Sequence, residues 1–314
     1  YQAIIAYTEY AVTALPTSYS GGDIGRITQG AAKMLLAKVY LTRHEYAKAQ
    51  SELNSIISSN QYTLLTDYAS VFNPTNKNHA ESIFEVQFKE GPEGESSSFA
   101  YEFAPLNSRG VIVEAQGERG RNIPTLDMVD AYEAGDLRKD VSVGYFDRNP
   151  SPLYYVKKYD NDSDPDFSRT PDNWPLYRYA DALLMLAEAI NEQSYQTGTA
   201  FEMLNMVRNR AGLTELTATD LPDQESFRSA IAQERRVELA FENHRWFDLV
   251  RTDKAIEVMT AFGDKEKANP TLDFPDFAAY DAESFIITQD KLVYPIPNSE
   301  LNVSPNLLPQ NFGY

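Results

Sequence analysis

Small and large apolar residues recur at helical spacing between residues 24 and 60, and this restricts the chain to architectures built from paired helices. Leu36-Ala37-x2-Tyr40 is followed by Tyr46-x2-Ala49-x3-Leu53-x2-Ile56. The short side chains of Ala37 and Ala49 let two antiparallel helices approach closely. Leu36, Tyr40, Leu53 and Ile56 then fill the seam, each contributing roughly 1.5 to 3 kcal/mol on burial. The same logic returns later: Leu186-Ala187-x2-Ile190 leads to Ala200-x3-Leu204-x2-Val207, with Gln196-Thr197-Gly198 as the turn and Gly212 as the stop. Helical hairpins are therefore expected over 24–60 and 174–212.

The spacing is tetratricopeptide-like. Two units so far apart do not make a tandem array, so the hairpins are expected to pack around a non-repeating middle. Ile4, Ile5, Tyr7, Ala11 and Val12 predict a helix up to Leu15-Pro16, the last member of an earlier hairpin. A chain that opens on Tyr1 inside such a helix reads as a cut within a larger protein, with any signal peptide or lipid-bearing cysteine upstream. In the middle, Ile83, Glu85 and Gln87 alternate with Phe84, Val86 and Phe88, which predicts a strand. Periodicity then disappears, and residues 89–173 read as irregular and loop-rich. A short helix after Pro124-Thr125 and strand-like runs at 141–146 and 153–159 interrupt that stretch. Helix is expected again at 174–192, 200–210 and 227–250, followed by a Pro-rich extended tail over 274–314.

Composition narrows the function classes. Asp and Glu total 46 against 28 Lys and Arg, a formal charge of -18, and such a surface repels the phosphates that nucleic-acid binding must neutralise. No apolar run reaches the ~18 to 20 residues needed to cross a bilayer. The absence of cysteine removes disulfides, thiolate zinc sites and thiol nucleophiles. His44, His79 and His244 are scattered, and the chain has no Gly-x-Ser-x-Gly elbow, His-Glu-x-x-His pair or Gly-rich phosphate loop. No cofactor and no metal are expected. Asp160, Asp162, Asp164 and Asp166 alternate like an oxygen-rich loop, but Pro165 and Pro171 stand where an EF-hand needs Gly and a bidentate Glu. A solvated acidic loop is the better reading.

The densest charge cluster is Glu234-Arg235-Arg236-Val237-Glu238-Leu239-Ala240-Phe241-Glu242-Asn243-His244-Arg245-Trp246-Phe247-Asp248-Leu249-Val250-Arg251. Ion pairing along the helix, Arg235 with Glu238 and Glu242 with Arg245, outweighs a catalytic role for Glu234, Glu238 or His244. This segment resembles the hallmark helix of the SusD/RagB family. The tail Leu292-Val293-Tyr294-Pro295-Ile296-Pro297-Asn298-Ser299-Glu300-Leu301, with Pro305-Asn306-Leu307 and Gln310-Asn311-Phe312-Gly313-Tyr314, is similar to that family's C-terminal signature. Gly25-Arg26-Ile27-Thr28, the strand at 83–88, Pro124-Thr125 with Gly135-Asp136-Leu137-Arg138, and Tyr177-Arg178-Tyr179-Ala180-Asp181 match in family order. The resemblance covers the whole chain but lacks the family's N-terminal part, with its lipidated cysteine and earliest hairpins.

That resemblance implies one all-α, tetratricopeptide-like domain over 1–314, with an irregular ligand-facing region at 89–173 and a helical core and C-terminal signature at 174–314. It implies an outward-facing lipoprotein of the cell outer membrane that binds a glycan, delivers it to a SusC-like TonB-dependent transporter, and is not an enzyme. Contact with the membrane would run only through an upstream lipid anchor. Glycan capture needs an aromatic face for the apolar side of a sugar ring and planar polar groups for its hydroxyls. Phe99, Tyr101, Phe103, Asn107 and Arg109 offer such a set, with Tyr101 read as an exposed loop residue. Tyr154 and Tyr155 are a second candidate, whereas Trp174 and Trp246 are read as core. Two rivals remain at this point: the same fold capturing oligopeptides, and a tetratricopeptide-type adaptor for partner proteins.

Overall fold

The first three helices, α1 (Gln2–Ala14), α2 (Gln29–Thr42) and α3 (Tyr46–Ser58), form the expected hairpin and its predecessor in a computed structural model. That structure describes residues 1–91, 93–114, 117–147, 153–161, 169–270 and 279–314. Thr28 caps α2 by accepting a hydrogen bond from the Ala31 amide. Tyr40 donates from its hydroxyl to Glu9 at 3.0 Å, tying α1 to α2. Ala37, Ala49 and Leu53 are wholly buried, and Leu36 and Ile56 nearly so. The seam is therefore closed by the residues whose spacing predicted it.

The middle contains β1 (Ser82–Val86), α4 (Phe99–Phe103), α5 (Leu126–Val129), α6 (Lys139–Ser142), β2 (Val143–Phe146), β3 (Leu153–Val156) and β4 (Trp174–Arg178). β1 pairs antiparallel with β4, and β2 with β3, as two separate two-stranded sheets. The strand at 174–178 corrects the expectation of helix from Trp174. Pro175 faces Glu85 across the ladder, where its missing N–H is tolerated because β4 has no strand on its other edge among the described residues. Helix starts only at Tyr179, whose amide donates to the Glu81 carbonyl at 2.9 Å.

The core surrounds α7 (Tyr179–Gln193), a helix whose residues 179–191 are all buried. Its apolar residues point in every direction, as suits a helix enclosed by neighbours. It lies against α2, α3, α8 (Thr199–Arg210) and α9 (Gln224–Glu238). Gly198, with φ +105°, makes the turn into α8, and a capping box between Asp223 and Ser226 starts α9. The helix expected over 227–250 is broken. After α9 the chain turns through Phe241 and Asn243, both with left-handed φ (65° and 64°), before α10 (Arg245–Arg251) begins. Left-handed backbone is uncommon for a bulky side chain, and here it directs Glu242 into the interior.

Interior charges hold this turn. Glu238 is fully buried and paired with Arg138 at 3.1 Å, Arg178 at 2.9 Å and Arg210 at 2.5 Å. Glu242 meets Lys158 at 2.6 Å and Arg178 at 2.8 Å, while Arg235 reaches Asp181 at 2.7 Å. Arg235, Glu238 and Glu242 thus reach partners on other elements, beyond the single helix on which pairing was expected. Burial opposes ionisation of Glu238, but Arg210, Arg178, Arg138 and Lys158 outweigh it and hold its carboxyl well below the usual range.

Contacts group the chain into two compact units, 1–245 and 246–314. In the second, α11 (Ala255–Ala268) was not foreseen from the sequence, and its Gly263 lets Phe285 approach so closely that a Cβ would lie 2.5 Å from the Phe285 Cβ. The described part of the tail is not simply extended. It carries α12 (Asn298–Val303), and Gln310 folds back to bond both the amide and the carbonyl of Ile296 at 2.8 Å. Residues 271–278, where the tail was expected to begin, lie outside the described residues.

Replacing Glu238 with Ala removes a buried partner from three guanidinium groups at once. The expected loss is ~3 to 5 kcal/mol, as for breaking a buried pair from one side. Chemical denaturation of Glu238→Ala against the unaltered chain measures it, and a shift under 1 kcal/mol would contradict the account.

Candidate functional site

Aromatic rings from four parts of the sequence meet beside the β1–β4 sheet. Phe88 follows β1, Phe99 and Phe103 lie on α4, Tyr159 follows β3, and Trp174 opens β4. Tyr159 is buried and stacks on Trp174 with ring centroids 5.0 Å apart and planes 15° from parallel. Phe99 lies 5.0 Å from Trp174, 5.5 Å from Tyr159 and 5.4 Å from Phe88. It also stacks on Phe103 at 6.2 Å. Phe88, Phe99, Phe103 and Trp174 are each half-buried. The result is an apolar platform with one side in the protein and one side open.

Local hydrogen bonds explain why α4 sits there. Ser97 and Thr170 exchange backbone hydrogen bonds at 2.8 Å in both directions, and their hydroxyls meet at 2.8 Å. This clamp fixes the start of α4 close to the start of β4. On the other side, Asn173 accepts from the Phe88 amide at 2.8 Å and donates to Glu85 at 2.7 Å. Lys77 donates to the Phe88 carbonyl at 2.5 Å. Phe88 is therefore held by its backbone while its ring remains free to pack.

The structure sorts the sequence candidates differently from the sequence. Phe99 and Phe103 join the platform. Tyr101 does not: it is 1% exposed and packs with Ala100, Ala104 and Val113 in a small core of its own. The expectation of an exposed Tyr101 fails because 99–103 is helical, so Tyr101 projects on the side opposite its odd-numbered neighbours. Asn107 and Arg109 are exposed in the following loop, where Asn107 takes a left-handed φ of 67°. Tyr154 is half-buried and pairs with exposed Tyr145 across the β2–β3 ladder, rings 5.6 Å apart. Tyr155 points inward, its hydroxyl donating to Asp160 at 3.1 Å, and Gly144 opposite leaves the space its ring occupies. Trp174, read as core, is the residue that sequence reasoning missed. Its signal was the Trp-Pro step, which disfavours helix. Asp162, Asp164 and Asp166 of the acidic run lie outside the described residues.

Cations sit behind the platform rather than on it. Lys158 is fully buried, 4.6 Å from the Phe72 ring centre and 5.2 Å from that of Tyr68. Phe72 in turn meets Tyr159 edge-on at 6.0 Å. Burial lowers the Lys158 pKa to about 8 despite the opposing pull of Glu242. Asp172, two residues before Trp174, is buried. Burial pushes its carboxyl up to about 6, and neither the nearby Thr170 hydroxyl nor the Lys77 ammonium cancels that rise. Among the described residues no group of three His, Asp or Glu is arranged to hold a metal ion. No helix among them is long and apolar enough to cross a membrane.

The model of the SusD family matches residues 139–314, more than half of the chain. The chain belongs to the SusD family. SusD-like protein P25 of Formosa agariphila is 30% identical over 295 residues, covering 82% of this chain and 55% of that protein. SusD-like protein P2 of the same organism is 29% identical, covering 100% of this chain and 65% of its own length. The chain thus spans little more than half to about two thirds of these relatives. Among solved structures, a SusD superfamily protein from Parabacteroides distasonis superposes with a TM-score of 0.77 at 30% identity, over 99% of this chain and 68% of that one. Surface glycan-binding protein A from Bacteroides thetaiotaomicron, in complex with laminarihexaose, has a TM-score of 0.77 at 24% identity, over 99% and 70%. The SusD-type helical architecture expected from the C-terminal signature and the 234–251 segment is the one observed.

Asp172 offers a pH test of the site's foundations. Its folded pKa lies above the unfolded value of 3.8, so the folded state carries a penalty above about pH 6 that vanishes below pH 4. Asp172→Asn should therefore raise the melting temperature at pH 7 to 8, and the gain should shrink as pH falls from 6 to 4. Thermal melts across that range check it.

Proposed function

We propose that this chain captures a glycan at the cell surface, with the half-buried platform of Phe88, Phe99, Phe103 and Trp174 as the binding face. The platform itself carries the reading. It offers an apolar surface for one side of a sugar ring, held rigid from behind by Tyr159 and by the Ser97–Thr170 clamp. Asn107 and Arg109, exposed in the loop after α4, supply planar groups for hydroxyls. Tyr154 with Tyr145 forms a second, smaller aromatic patch. Two SusD-like relatives of known structure are described as laminarin-binding or carry laminarihexaose, which supports a neutral glycan as the cargo class.

The same reading makes the protein a receptor rather than an enzyme. Glu234, Glu238 and Glu242 are buried and spent on guanidinium and ammonium partners, so they do not meet a ligand. Family membership supports an outward-facing, lipid-anchored place on the outer membrane and hand-over of the glycan to a SusC-like TonB-dependent transporter. Reversible capture suits that role, with a dissociation constant between ~1 µM and ~1 mM, or about -8 to -4 kcal/mol.

Titration with laminarihexaose and other neutral oligosaccharides tests the reading. Trp174→Ala and Phe99→Ala should each weaken binding about three- to tenfold, in line with ~0.5 to 1.5 kcal/mol for a ring contact, whereas Tyr101→Phe should leave it unchanged. Affinity should vary little between low and high salt, because a neutral sugar displaces no counterions. Unaltered binding in both Ala variants would remove the platform from the site. A steep salt dependence would point instead to a charged cargo such as a cationic peptide.

A further inference from the structure

A cleft of about 440 Å3 opens between residues 17–28, the turn at 61–62 and residues 78–84. It is distinct from the platform in its lining: none of Phe88, Phe99, Phe103, Tyr159 or Trp174 contributes to its walls. Two glycines shape its walls. A Cβ on Gly25, whose φ is +96°, would come within 2.7 Å of the Gln87 side chain, and one on Gly30 within 2.2 Å of the Tyr62 hydroxyl. The Gly25-Arg26-Ile27-Thr28 motif thus builds a cleft to which the platform reading assigns no role.

The lining is neutral and offers hydrogen bonds. Arg26, the one Lys, Arg, Asp or Glu side chain among the lining residues, is paired with Asp23 at 3.0 Å. His79 has both ring nitrogens in use, Nε2 facing the Val71 carbonyl and Nδ1 accepting from the Glu81 amide, each at 3.2 Å. The cleft therefore holds no free base and is built for binding. The hydroxyls of Tyr19 and Tyr62 and the side-chain amide of Gln61 make no hydrogen bond to other described residues, and the two tyrosines are only half-buried. Aromatic rings, a planar amide and unengaged hydroxyls around a cavity within the ~300 to 1,000 Å3 typical of ligand pockets favour an uncharged, hydroxyl-rich molecule. In a chain of charge -18, a neutral lining is itself selective.

We propose that this cleft is a second carbohydrate subsite, taking a neutral pyranose unit between Tyr19, Tyr62 and Gln61. The ligand class rests on the carbohydrate-binding reading above; the location does not. Backbone amide shifts of the isotope-labelled full chain, titrated with neutral hexasaccharides of glucose, mannose, galactose and xylose, report each site separately. At least one sugar should move resonances of 17–28, 61–62 and 78–84 in a saturable way. Ala80→Phe, which fills the cleft from an exposed position, should weaken that response at least tenfold without lowering the melting temperature. Cleft shifts that persist in Trp174→Ala support the second subsite even where the platform response is absent. No saturable cleft shift with any of the four sugars, or a response that survives Ala80→Phe, overturns it.

Discussion

A buried carboxylate, Glu238, holds together the parts of this protein that carry its candidate site. Its three guanidinium partners come from the approach to α6, the end of β4 and the end of α8. Ions removed from water are tolerated only when every member is paired, so such a network forms as a whole or not at all. Arg178 extends it to Glu81 before β1 and Glu242 after α9, and Arg138 extends it to Asp136 and Glu234. Elements far apart in sequence are thereby fixed by one electrostatic condition.

The platform is attached to that network at two points. Trp174 and Arg178 are the two ends of one short strand, and Lys158 immediately precedes Tyr159, the ring on which Trp174 stacks. Lys158 also lies over Phe72, which meets Tyr159 edge-on. The aromatic face is consequently positioned by charge buried behind it. This separation matters for a protein that carries a charge of -18: acidic side chains can cover the rest of the surface while the aromatic platform stays apolar.

Backbone detail decides which side chains reach that surface. Within five residues of α4, Phe99 and Phe103 face the platform and Tyr101 is turned into a separate core, because a helix rotates each residue by about 100°. Had 99–103 been extended, all three would have shared a face. In β3 the period of two has the corresponding effect, directing Tyr154 toward Tyr145 and Tyr155 inward.

The sequence alone determined the helical hairpins, the strand near 83 and the family, since these rest on local periodicity and on motifs that can be read along the chain. Leu36, Ala37, Ala49 and Leu53 stand buried where their spacing placed them. It also determined that the charges at 234–242 are structural, though not their partners, because a carboxylate's neighbours three turns or a hundred residues away leave no local trace. Only the tertiary structure decided that Trp174 starts a strand instead of a helix, that Tyr101 is lost to the interior, and that Phe88, Phe99, Phe103, Tyr159 and Trp174 become one surface. Their meeting depends on the pairing of β1 with β4 and the Ser97–Thr170 clamp, contacts between segments more than seventy residues apart. Such contacts are selected by the free energy of the whole packed arrangement, which no window of sequence contains.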